Sequence, residues 1–87
     1  MDEKRKAFSA DFYNRLKNTV NASVKCVIDK DDNDKMNIYI SRLGLVYKTS
    51  ISGVNKLLES DISETEKEFD KVVGRYRTYV EHKFFYF

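Results

Sequence analysis

The residues best suited to chemistry are few and scattered. Asp29-Lys30-Asp31-Asp32-Asn33-Asp34 sets oxygen ligands at alternating positions, as a calcium loop begins. The match then stops. Such a loop needs glycine at its sixth position and glutamate at its twelfth; here these are Asp34 and Ile40. The stretch is expected to be a solvated turn, because short polar side chains hydrogen-bond their own backbone there. Cys26 is the one cysteine, which excludes an intrachain disulfide and suits a reducing compartment. It lies in an alternating apolar stretch and reads as a small buried hydrophobe. His82 is the one histidine, and Glu81, the nearest acid in sequence, falls on a different helical face. No serine-histidine-acid spacing occurs, and Gly44, Gly53 and Gly74 make no phosphate loop. We therefore expect no enzyme activity, no metal and no cofactor.

A second group of residues is suited to binding. Lys71, Arg75, Tyr79, His82 and Tyr86 follow one another at steps of three and four, with Lys83 at the edge of the same helical face. Cations interleaved with aromatic rings can hold phosphates and stack bases. Tyrosine and arginine are equally the usual anchors of protein interfaces. An ordinary solvated helix face looks the same. Four aromatic residues in a row end the chain, and Phe85 points roughly opposite Phe84 and Phe87. Such a tail either folds back over the core or meets another chain.

These residues need elements to position them. Phe8, Phe12, Leu16 and Val20 recur every four residues and predict a helix over 2–20, ended by a left-handed cap at Asn21. Over 22–29 the period changes to two: Ala22, Val24, Cys26 and Ile28 face one way, Ser23, Lys25 and Asp29 the other. Met36, Ile38 and Ile40 alternate with Asn37, Tyr39 and Ser41, so the two segments form a β-hairpin around the aspartate-rich turn. After Ser41 the parity changes to Leu43, Leu45 and Tyr47. A bulge near Arg42 to Gly44 explains this with one long strand; a three-residue loop with left-handed glycine explains it with a third strand.

Thr49, Ser50 and Ser52 offer N-caps for a short helix from Gly53 to Ser60. Ser63 and Glu66 form a capping-box pattern opening a long last helix over 63–87. Phe69, Val72, Val73, Tyr76, Val80, Phe84 and Phe87 make its apolar face. A helix of that length spans roughly 35 Å and must kink near Gly74 or project. The expected fold is a small single α+β domain over 1–87, in the order α-β-β-(β)-α-α. An antiparallel sheet of two or three strands has helices packed on one face. The other face, with Lys25, Asn37, Tyr39 and Ser41, is solvated or used for binding.

Bulk composition bounds the function. The 87 residues are 41% hydrophobic and 14% aromatic, enough for one small core. At this size a core is marginal, which keeps dimerisation open. Sixteen basic and fourteen acidic residues leave a net charge of +2, too balanced to imply nucleic acid by itself. No apolar run is long enough for a membrane span or a leader, so a cytoplasmic protein is expected. The leading expectation is a non-enzymatic protein-protein interaction module, a small regulator or inhibitor of a larger protein partner. Its contacts are expected at Lys71, Arg75, Tyr79, His82, Phe85 and Tyr86. Phages and mobile elements often encode stand-alone chains of this size; size class, not any residue, carries that expectation. One alternative is nucleic-acid binding through the same helix face, with Lys4, Arg5 and Lys6 assisting. Another is a homodimeric structural component, packed helix to helix.

Overall fold

The computed structural model describes residues 2–85, with side chains through Phe84. The elements are α1 (Glu3–Thr19), β1 (Ser23–Ile28), β2 (Lys35–Arg42), β3 (Leu45–Ser52), α2 (Val54–Glu59) and α3 (Ile62–Phe85). The strands form one antiparallel meander in the order β1-β2-β3. The fold is thus α+β with a three-stranded sheet.

Side-chain parity decides which face is covered. Ile28, Met36 and Ile51 share one cross-strand row, and Cys26, Ile38 and Thr49 the next. Met36, Ile38 and Ile40 on the central strand are fully buried. Phe12 and Leu16 of α1, Val20 just after it, and Phe69, Val72, Val73 and Tyr76 of α3 close over them. Each such side chain contributes about 1.5–3 kcal/mol by leaving water. The two aromatic stripes meet edge to face, with the Phe12 and Phe69 rings 5.5 Å apart. Thr65, on the same face of α3, is buried as well.

The third strand of the hairpin alternative forms, through a loop one residue shorter than expected. Arg42 pairs with Leu45, so only Leu43 and Gly44 form the loop. Both are left-handed, with φ of 51° and 83°. That is the two-residue turn whose twist matches a hairpin. There is no bulge and no three-residue loop; the two-residue loop itself produces the parity change.

The end of α1, the capping of α2 and the start of α3 differ from the sequence expectations. Val20, in extended conformation, ends α1, and its N–H donates to the Leu16 carbonyl. Asn21 makes no left-handed cap, because Leu43 is the one non-glycine residue with positive φ among those described. Thr49, Ser50 and Ser52 cap nothing; all three lie within β3. The start of α2 follows Gly53 instead and is satisfied from the β1–β2 turn. Val54 N–H donates to the Asp34 carbonyl (3.0 Å), and Asn55 N–H to Asp34 Oδ1 (2.7 Å). α3 begins at Ile62, one residue before the expected capping box. Asp61 takes the capping role, accepting from Ser63 N–H at 2.9 Å. α3 then runs unbroken through Gly74 for 24 residues. At 1.5 Å per residue it is about 36 Å long, whereas an eight-residue strand spans about 27 Å. The helix is therefore longer than any strand of the sheet.

Candidate functional site

The stripe on α3 is less available than its sequence implies. Lys71, Arg75 and His82 are exposed. Lys71 Nζ donates to Glu68 one turn away, at 3.2 Å. Tyr79 is half-buried, its ring 5.1 Å from Tyr47 on β3. Lys83 lies over that same ring, 5.7 Å from its centre. One aromatic member of the stripe is thus spent on packing α3 against the sheet. Phe85 lies in the last turn of α3, and Tyr86 lies outside the described residues.

The other candidates are also accounted for. Asp29 Oδ1 accepts from the N–H groups of Asp31 (2.9 Å) and Asp32 (3.0 Å). Its other oxygen accepts from the Asn37 side-chain amide at 2.9 Å. These donors, Asn37 first, hold the Asp29 carboxyl below the usual aspartate range. Asp32 accepts from Asp34 N–H, and Asp34 from α2. The carboxylates organise the turn and the start of α2. Among the described residues no group of three or more His, Cys, Asp and Glu side chains is placed to hold a metal ion. Cys26 is half-buried against the core, and burial pushes its thiol up to about 12. At neutral pH it is a protonated thiol and a poor nucleophile.

A different surface emerges from the sheet. Its outer face carries Ser23, Lys25 and Val27 on β1. β2 adds Lys35, Asn37, Tyr39 and Ser41; β3 adds Val46, Lys48, Ser50 and Ser52. Among the described residues no helix covers this face, and no strand residue on it is acidic. Tyr39 sits at its centre. Lys25 pairs with it from one neighbouring strand and Lys48 from the other. Lys25 Nζ stands 5.9 Å from the ring centre. Beside the ring is a hollow of about 310 Å³, lined by Lys25, Val27, Asp29, Asn37 and Tyr39 among others. Val27 is 37% exposed and Val46 49%.

Charge along the chain explains how a net charge of +2 hides this surface. No acid occurs from 12 to 28, from 35 to 58, or from 71 to 80. The fold brings these stretches together. The end of α1, the β2–β3 turn and the second half of α3 line a groove of about 260 Å³ with Thr19, Asn21, Arg42, Arg77 and Glu81. Glu81 apart, the acids collect towards the opposite end of the sheet. Arg5 Nε donates to the Asn33 carbonyl at 2.8 Å, which fixes the start of α1 beside the aspartate-rich turn. α2 and the acidic first turns of α3 are held there too. Arg42 and Arg77 line the groove at one end, while Lys35, Lys56 and Lys71 lie beside acids at the other. The two ends of the sheet thus differ in charge.

Tyr76 belongs to that groove and leaves one polar atom without a partner. The residue is 6% exposed, and its hydroxyl is buried with no hydrogen-bond partner among the described residues. A buried hydroxyl in that state carries its full desolvation cost. Tyr76→Phe is expected to raise folding stability by about 1 kcal/mol, read as a higher urea midpoint. A lower midpoint would show that the hydroxyl is satisfied in solution.

The outer sheet face is legible in the sequence only in part. Parity alone places Lys25 and Tyr39 on it. Lys48 joins them only through the β2–β3 register. No known protein family, no curated protein and no solved structure matches the chain. Among the described residues no helix is long and apolar enough to cross a membrane.

Proposed function

We propose that this protein is a non-enzymatic nucleic-acid-binding module whose contact surface is the outer face of the sheet, joined to the basic half of the molecule. The observation that carries this reading is the row of Lys25, Tyr39 and Lys48 across the outer sheet face, on which no strand residue is acidic. Lysines there neutralise phosphates, and the opposite, acidic half orients the approach. The reading is of binding, since Cys26 is a poor nucleophile and the carboxylates of the turn are engaged with N–H donors. A free thiol suits the reducing cytoplasm in which nucleic acid is met.

Salt dependence tests it. With about four phosphates neutralised, raising salt from about 50 to 200 mM is expected to weaken binding roughly 50- to 150-fold. Fluorescence anisotropy with a labelled oligonucleotide measures this directly. Flat salt dependence, or no binding at low salt, sinks the proposal.

The protein-regulator reading keeps one observation of its own. An apolar cleft between α1 and the α2–α3 junction is lined by Phe8, Leu57, Leu58 and Ile62, the last 60% exposed. It suits an apolar anchor from a partner protein. It lies at the acidic end, so the two readings use opposite ends of the molecule. Ile62→Asp abolishes capture by that partner if the cleft is used and leaves oligonucleotide affinity unchanged.

A further inference from the structure

We infer that the nucleic acid taken by the outer sheet face is single-stranded, with one base stacked on Tyr39 and the backbone crossing the strands along the Lys25–Lys48 row. This rests on the nucleic-acid reading above and specifies its substrate. Three observations lead to it.

The first is the position of the ring. Tyr39 lies on the central strand, outward and half-exposed, with no other aromatic strand residue on that face. An aromatic face on an open sheet offers a partner to a base that has left its own stack. In a duplex both faces of each base are already stacked, and the tyrosine would meet only groove edges.

The second is the spacing of charge. The two lysines flank the ring through direct ladder pairing, one strand spacing to either side. Neighbouring strands lie about 4.8 Å apart, so the two lysine backbones are about 10 Å from each other. Flexible lysine side chains at that separation reach successive phosphates of one strand while the base between them turns down onto the ring.

The third is the hollow beside the ring. It is lined by Val27, Asn37 and the tyrosine itself, with Lys25, Asp29 and Asp31 beside them. At about 310 Å³ it stands at the small end of ligand pockets and is open to solvent. The aspartates repel phosphate, so the backbone keeps to the lysine row. The hollow is left to the base.

The test compares labelled oligothymidylate of about 15 nucleotides with a duplex of equal length, by anisotropy at low salt. The single strand is expected to bind at least about tenfold more tightly. Tyr39→Leu keeps an apolar side chain on the strand and removes the π-face; it is expected to weaken single-strand binding about tenfold and duplex binding by less than about twofold. Tyr39→Phe keeps the ring and is expected to bind like the parent. Circular dichroism confirms that both variants fold. Duplex binding equal to or tighter than single-strand binding overturns this inference while the nucleic-acid reading stands. The same follows if Tyr39→Leu binds the single strand as the parent does. Failure of both probes to bind at low salt overturns both.

Discussion

Replacing Phe12 with alanine is expected to remove about 3–5 kcal/mol of folding stability. Phe12 is 1% exposed and holds α1 to the rest of the core. Its ring lies 6.0 Å from Phe8 and 5.5 Å from Phe69, so it links the aromatic stripes of the first and last helices. Truncation loses the transfer free energy of the ring and leaves a cavity that α1 and α3 cannot both close. For a domain of 87 residues, total stability is about 4–13 kcal/mol. The variant therefore sits close to its folding threshold. Urea titration followed by circular dichroism is expected to show a much lower midpoint with an unchanged slope. Leu43→Ala is the control: at 76% exposed, it is expected to change stability by less than about 0.5 kcal/mol. Equal losses from the two variants would mean that α1 is not packed as described.

That core is readable from the sequence because burial imposes a period. Phe69, Val72, Val73 and Tyr76 recur as a helix face must, and all four are buried. Val24, Cys26 and Ile28 alternate as a half-covered strand must. What the sequence conceals is long-range. Leu43 adopts a left-handed conformation that leucine disfavours on its own, held by the pairing of Arg42 with Leu45. Gly53 has no side chain to cap α2, so local patterns favour the nearby serines. The actual acceptor, Asp34, lies 21 residues away. Tyr79 reads as part of a free surface until Tyr47 comes up beside it. The acid-free stretches can be counted in the sequence, but only the topology shows that they converge.

Charge placement, rather than charge total, is expected to govern binding, and two double variants separate the effects. Lys25→Glu with Lys48→Glu reverses the row on the outer sheet face. Lys56→Glu with Lys67→Glu reverses two lysines at the acidic end, on α2 and in the first turns of α3. Each lysine-to-glutamate change subtracts two charges, so both proteins go from a net charge of +2 to −2. A mechanism that answers to net charge treats them alike. The sheet face does not. In the first variant two attractions to phosphate become repulsions, and oligonucleotide affinity is expected to fall at least about 100-fold at about 0.1 M salt. The second variant is expected to lose less than about threefold. Lys56 lies beyond the end of β3, and the four steps along the strand from Lys48 to Ser52 alone span about 13 Å. Ionic screening acts over about 10 Å at 0.1 M salt, so charge at the acidic end contributes little at the sheet face. The salt slope gives an independent reading. It is expected to become shallower by about 0.7 for each phosphate of the single strand that is no longer neutralised, in the first variant alone. Equal weakening of the two variants would remove the outer sheet face as the binding surface. It would leave binding to the overall charge of the molecule.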